Sequence, residues 1–365
     1  MNVQYLTLGE VCQKASSNIA QKDLENNSGN YEIYGASGFI KTVDFYHQEQ
    51  PYIAIVKDGA GVGRTMLLPA RSSVIGTMQY IIPNDKIDIR YLYYGIVNMN
   101  LSRYYMGAAI PHIYFKDYQK ELLPIPDKAE QIKIANTLEL LDKLIYARNN
   151  QIKAFDNLVK SRFIEMFGDP VSNPYRYPKV PLSELAEIKI GPFGSLLHKE
   201  DYIEGGHALV NPSHIIDGII SVDNKLTISN EKYDELSAYH LQVGDVVMGR
   251  RGEMGRCAVV QTEDLLCGTG SLFIRTKGNL TADYLQKIIS FPSFKKTIED
   301  MAVGQTMPNL NVPIVSKFQI IKPPMEIQKA YYDFVEATDK LKFEAKQGLE
   351  KLETLKKSLM QEYFG

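Results

Sequence analysis

The sequence predicts an α+β protein: two α/β globules related by an internal repeat and joined by two long antiparallel coiled-coil helices. Three observations carry that prediction. First, "GAAIPHI" at Gly107–Ile113 returns as "GQTMPNL" at Gly304–Leu310. The same offset of 197 pairs Pro126 with Pro323, Gln131 with Gln328, Asp142-Lys143-Leu144 with Asp339-Lys340-Leu341, and Phe167-Gly168 with Phe364-Gly365. Identities kept in one register, several of them Pro or Gly, mark a tandem duplication. Second, each copy closes on about 40 residues whose apolar positions recur at steps of three and four. Third, each copy opens on short β-like runs separated by glycine-rich turns.

The first globule, residues 1–126, carries "YIAIV" (Tyr52–Val56) and "QYII" (Gln79–Ile82) as strands and "IRYLYYGIVNM" as a short helix. Residues 127–168 then lose glycine until Gly168 and place Ile134, Leu138, Leu141, Ile145, Ile152, Phe155, Val159 and Phe163 along one stripe, with Arg148 filling a gap. That pattern is a long helix entered at Pro126-Asp127 and stopped by "GDP". The connection "GDPVSNPYRYPKVP" reads as extended. The second globule, residues 169–323, repeats the scheme with "GDVVM", "CAVV" and "SLFIR" as strands and "TADYLQKIIS" as a helix. Residues 324–365 form the second long helix, whose seam is expected at Ile327, Tyr331, Phe334, Thr338, Leu341, Ala345, Gly348, Leu352, Leu355 and Leu359. A rod of that length spans roughly 60 Å at 1.5 Å per residue. So long an apolar stripe needs a partner of equal length, and the other copy supplies one.

The fronts diverge more than the tails. "TLGEV" (Thr7–Val11) resembles "PLSEL" (Pro181–Leu185) at an offset of 174, and Gly63-Arg64 and Gly76-Thr77 match Gly255-Arg256 and Gly268-Thr269 at 192. The second globule therefore holds insertions that the tail lacks.

Hydrophobic content of 44% with 23% charged residues is ordinary for a soluble globular chain. No apolar run has the length of a membrane span, and "MNVQYLTLGE" lacks the regions of a signal peptide. The three cysteines form no CxxC pair, which suits buried thiols in a reducing cytoplasm. A net charge of −2 means that any contact with nucleic acid uses local patches rather than bulk charge.

Catalytic and cofactor motifs are missing from the sequence. "KPPM" (Lys322–Met325) has the wrong flanks for the Pro-Pro-aromatic loop of a DNA amino-methyltransferase, and "PDKAEQIK" spaces Glu130 and Lys133 wrongly for a metal nuclease. No P-loop or G-x-S-x-G elbow appears, so no catalytic residue, cofactor or metal is expected. What recurs is glycine with basic residues in turns after β-like runs: "VKDGAGVGRT" and "MGRRGEMGRC". Glycine lets backbone approach closely, and arginine offers a fork that fits phosphate or guanine. A solvated hairpin turn explains one such turn, but its occurrence in both copies favours binding. The loops "YGASGFI" and "GPFGSLLHKEDY", and the polar residues flanking Pro111 and Pro308, are weighed in the same way. Candidate nucleic-acid contacts are Ser37, Lys57, Arg64, His112, Ser195, Lys199, Arg250, Arg251, Arg256, Gln305 and Asn309.

Two divergent globules, each followed by a near-identical long helix, resemble the specificity subunits of type I restriction–modification systems. The carriers are "GAAIPHI…LPIPDKAEQIKIANTLELLDKLI", "GQTMPNL…IKPPMEIQKAYYDFVEATDKLK", "YGASGFI", "GPFGSLL" and the terminal "FG" of each tail. The second copy departs from the family's helix entry, with Ile327 where the first has Glu130. The resemblance implies a non-catalytic subunit with two target-recognition domains, each reading half of a bipartite, asymmetric double-stranded DNA site. Its helices would act as spacers and as the dock for two methyltransferase subunits, with restriction (translocase) subunits completing the complex. Gln131, Asp142, Lys143, Gln328, Asp339 and Lys340, identical in both tails, are the expected partner contacts. Two alternatives stay open: a bivalent coiled-coil scaffold with protein-binding globules, and the specificity subunit of a related system outside type I.

Overall fold

The computed structural model describes residues 3–107, 111–253, 255–302 and 309–365. The chain divides into two compact units, one of residues 1–152 with 344–365 and the other of residues 153–343. The divisions therefore fall inside both long helices, not at the helix starts near residues 127 and 324.

In the first unit the chain builds a four-stranded antiparallel sheet in the order Cys12–Ser16, Met78–Pro83, Tyr52–Val56, Thr65–Leu68. Tyr52–Val56 is buried along its whole length, as a continuous apolar run in a central strand should be. A smaller sheet sets Tyr31–Gly35 between Gly38–Val43 and the short parallel strand Ser73–Val74. The strand Gln4–Thr7 pairs antiparallel with Leu122–Ile125, just ahead of the first long helix, Lys128–Phe167.

The second unit repeats this plan. Its main sheet runs Ala186–Ile190, Ser271–Thr276, Val246–Gly249, Cys257–Val259, and Lys179–Pro181 pairs with Gln319–Ile321 ahead of the second long helix, Met325–Phe364. His207–Val210 lies parallel to Leu265–Cys267, as Tyr31–Gly35 lies parallel to Ser73–Val74. The helix Pro292–Met301 is an addition that the sequence reading did not foresee.

Each unit locks a short helix to a long one in the same way. Asp88 caps the helix Ile89–Asn98 by accepting from the Arg90 and Tyr91 amides. Its own N–H donates to Gln131 Oε1 at 2.7 Å, while Gln131 Nε2 donates to the Pro126 and Lys86 carbonyls. In the second unit Thr281 caps Ala282–Ser290, its N–H donates to Gln328 Oε1 at 3.0 Å, and Gln328 Nε2 donates to the Pro323 carbonyl. Tyr91 Oη donates to the Pro124 carbonyl and Tyr284 Oη to that of Ile321, donors 193 apart and acceptors 197 apart. Phe364 packs on Tyr91 with ring centroids 4.9 Å apart, and Phe167 on Tyr284 at 4.7 Å. The repeated Phe-Gly at the helix ends is therefore the cap of each unit's core.

The expected seam of the first long helix is buried or half-buried throughout. The second seam needs a correction: Leu341 and Leu355 are exposed, and the neighbouring Lys342 and Lys356 turn inward instead. Lys356 pairs with Asp142 within the first unit, and Lys342 with Asp156 within the second. Their aliphatic stems fill the seam while the ammonium groups meet carboxylates on the facing helix. Arg148, the irregular residue of the first stripe, lays its guanidinium against Gly348. Such polar positions favour one alignment of the two rods over a slipped one.

Candidate nucleic-acid interface

In both units the residues after the buried central strand form a turn held by the same backbone bonds. Lys57 N–H donates to the Thr77 carbonyl, and the Lys57 carbonyl accepts from Ile113 N–H, each at 3.0 Å. Arg250 N–H donates to the Gly270 carbonyl, and the Arg250 carbonyl accepts from Leu310 N–H, again at 3.0 Å. Val56 N–H bonds to the Arg64 carbonyl as Gly249 N–H bonds to that of Arg256. The glycine turn thus meets the Pro111 segment in the first unit and Asn309-Leu310 in the second.

Glycine is required where these turns are tightest. Gly63 has φ +85°, and a Cβ there would lie 2.6 Å from the Ser102 amide nitrogen. Gly255, at φ +74°, would drive a Cβ to 2.7 Å from Lys295 Cγ.

The repeated arginines have a common structural use. Arg64 Nη1 donates to the Ala36 carbonyl at 2.7 Å, tying the glycine turn to the hairpin that carries exposed Ser37. Arg256 Nη1 donates to the Pro212 carbonyl at 3.2 Å and is also paired with Glu253. Arg64 keeps an exposed side chain, whereas Arg256 is largely spent inside its own turn.

The remaining side chains differ. Lys57 Nζ lies 2.7 Å from Asp58 Oδ2, and His112 Nδ1 bonds to the other Asp58 oxygen. Burial opposes ionisation of Asp58, but the hydrogen bonds from Lys57 and His112 outweigh it and hold the carboxyl below its ordinary pKa. In the second unit Arg250 Nε donates to the Leu310 carbonyl at 3.2 Å and Nη2 to Asn309 Oδ1 at 3.4 Å. Burial, reinforced by neighbouring Arg251, lowers the Arg250 pKa. Arg251 is exposed, and no carboxylate pairs with it among the described residues.

The structure thus brings together Lys57, Arg64, His112 and Ser37 in one unit, and Arg250, Arg251, Arg256 and Asn309 in the other. Gln305 lies outside the described residues, as does the side chain of Ser195. Lys199 is exposed in a separate 3-10 turn, Lys199–Asp201, with no hydrogen bond or ion pair to the arginine cluster among the described residues. "YGASGFI" and "GPFGSLLHKEDY" are not counterparts: the first spans a hairpin of the smaller sheet, while the second follows the edge strand Ala186–Ile190. The counterpart of that hairpin turn is the segment around Pro212, where Arg256 binds. Sequence reasoning passed over Asp58, although it stands in the quoted turn, and the exposed Tyr105, Met106 and Tyr114 beside His112. The Tyr114 ring centroid lies 4.1 Å from that of His112.

Among the expected partner contacts, Gln131 and Gln328 are corrected. Both are 1% exposed, with their amides bonded inside their own units. Asp142 accepts from Tyr94 Oη and Lys356, while Lys143, Asp339 and Lys340 are exposed on the helix surface. The helices also expose apolar side chains in repeat-related places: Leu144, Tyr146 and Leu355 in the first unit, and Leu341, Phe343 and Leu158 in the second. Among the described residues no group of three or more His, Cys, Asp and Glu could hold a metal ion, and no helix is long and apolar enough to cross a membrane. The three cysteines are free and buried.

The chain matches the family model of the type I restriction modification DNA specificity domain twice, over residues 1–154 and 176–355. It is 22% identical over 327 residues to the type I restriction enzyme MjaVIII specificity subunit of Methanocaldococcus jannaschii, covering 84% of this chain and 77% of that one. The MjaIX specificity subunit of the same organism is 23% identical over 283 residues, 70% of this chain and 63% of that one. The fold is similar to the S subunit of the type I restriction–modification system from M. genitalium, with a TM-score of 0.62 at 17% identity over 100% of this chain and 96% of that one. A second solved chain, from work on complex assembly and conformational transition of the type I R-M system, gives 0.62 at 16% identity, over 99% and 97%. Two repeat-related units, their polar turns and this family match lead to one conclusion: the chain belongs to the type I restriction–modification DNA specificity family and is a DNA sequence-recognition subunit, not a catalytic one.

Proposed function

We propose that each unit reads one half of a bipartite, asymmetric double-stranded DNA site through its turn cluster, in the cytoplasm. The target-recognition domains are residues 1–126 and 169–323, and residues 127–168 and 324–365 are the spacers. The observation that carries this reading is the pair of backbone frames held by equivalent hydrogen bonds, with Lys57, Arg64 and His112 on one and Arg250, Arg251 and Asn309 on the other. A repeated frame with changed side chains is what two independent sequence readers require. Polar side chains from a rigid strand end supply base contacts, while lysines and arginines hold phosphates.

The exposed apolar positions on the helices support docking of methyltransferase subunits, one per unit, with restriction subunits completing the complex. Leu144 and Tyr146 recur as Leu341 and Phe343, so a partner fitted to one unit meets the same surface on the other. Lys143, Asp339 and Lys340 rim these patches.

Replacing residues 171–322 with the corresponding front of another family member tests the modular reading. The modified bases, mapped across a genome, should change in one half of the site alone. A change in both halves would overturn it.

A further inference from the structure

The two turns occupy equivalent places in the repeat, and the register is fixed by backbone pairing. Val56 pairs with Met78 and Gly249 with Ser271, while Ile53 pairs with Ile81 and Val246 with Ile274, a constant step of 193. Lys57 is therefore the counterpart of Arg250, and Asp58 that of Arg251. The first turn carries a lysine neutralised by its neighbouring carboxylate; the second carries two adjacent guanidinium groups. One position has reversed its charge on an otherwise repeated frame.

The groups on offer differ accordingly. Asp58 accepts from Lys57 through one oxygen and from His112 through the other, and a carboxylate has about four acceptor sites. Its side chain is 26% exposed, so acceptor capacity remains at the surface. It has nothing to give to the acceptor-only O6 and N7 edge of guanine, but it suits the exocyclic amino group of cytosine or adenine. The second turn is the reverse. Arg250 uses Nε and Nη2 on Leu310 and Asn309, which orients its fork, and its Nη1 makes no hydrogen bond among the described residues; Arg251 is exposed beside it. Paired donors of this kind match guanine.

We infer that this single reversed position divides base preference between the half-sites: Arg251, steadied by Arg250, selects guanine in the half read by the second unit, and Asp58 selects an amino-bearing base in the half read by the first. The inference rests on the reading that each unit recognises one half-site. Adjacent guanidiniums could instead grip phosphate, and the test separates the two.

The full-length chain, recovered with the modification subunits it assembles with, is equilibrated with a pool of randomised DNA duplexes, and the bound fraction is sequenced. Wild type should enrich a two-part motif with guanine in the half that changes when residues 171–322 are replaced. Arg251→Ala and Arg251→Lys should each lose preference for that guanine by about tenfold or more, because lysine keeps the charge but not the fork. Asp58→Ala should relax only a cytosine or adenine position in the other half, and the unaltered half reports that the variant is folded. The inference fails if Arg251→Lys keeps the guanine and only overall affinity falls, which marks a phosphate contact. It also fails if the second unit's half contains no guanine. A wild-type pool with no two-part motif defeats the half-site reading as well, so the two failures are distinct.

Discussion

Gln131 and Gln328 hold their helix caps with the same atoms on the same backbone groups, 197 residues apart. At the glycine turns, Asp58 meets His112 in one unit and Arg250 meets Asn309 in the other. The cap and helix lock has one solution because a buried amide needs every donor and acceptor met, and few side chains meet these. The repeated bonds of the turn run through its main chain, while its side-chain bonds differ between the units, so its side chains are freer to vary. Selection for a common frame and for different readers thus acts on different atoms of neighbouring residues.

The comparison can be broken first at the lock. Phe167 is fully buried against Tyr284, Tyr331 and Phe163, so Phe167→Ala should cost about 3–5 kcal/mol by urea unfolding. Phe364 is only half-buried, and Phe364→Ala should cost about 1–2 kcal/mol. Equal losses would show that the two locks are energetically alike despite their different exposure. Next come Gln131→Leu, stranding a cap amide and two carbonyls, and Gln328→Leu, stranding a cap amide and one carbonyl, at about 1–3 kcal/mol each, read from the same unfolding curves. DNA selectivity should survive both changes once the protein is folded.

Smaller effects sharpen the other side. Lys356→Met removes an ion pair with Asp142, which keeps its bond from Tyr94, and should shift stability by less than about 1 kcal/mol. The smallest effect concerns pH. The Asp58 pKa is depressed in the fold, so its contribution is present above the unfolded carboxylate value and is lost as pH falls through the folded one. Wild type and Asp58→Asn should therefore differ in urea midpoint at neutral pH and converge in acid. A difference that persists at the lowest pH would remove the ionised carboxylate from the account.

Much of this was legible in the sequence, because long helices and buried strands announce themselves by period and composition. Tyr52–Val56, Ser271–Thr276 and both 40-residue helices follow directly from apolar spacing. Less legible were features decided by a partner distant in the chain. Lys342 and Lys356 look like surface residues until Asp156 and Asp142 face them, so Leu341 and Leu355 attracted the seam assignment. Gln131 and Gln328 were visible as a repeated pair, but repetition does not say whether a residue serves a partner or the fold. Asp58 was hidden by the search for positive charge at a site expected to meet phosphate.

The first unit holds Tyr91 and Asn98 against Phe364, with Asn98 Nδ2 donating to the Phe364 carbonyl at 3.3 Å. During synthesis, the globule that leaves the ribosome earliest must wait for residues 344–364 before its core can close, whereas the one begun later already has all its parts. The order of emergence and the order of completion are thus inverted. A nascent chain held with residue 343 just clear of the ribosome would expose an unfinished amino-terminal half to proteases while its middle is sealed.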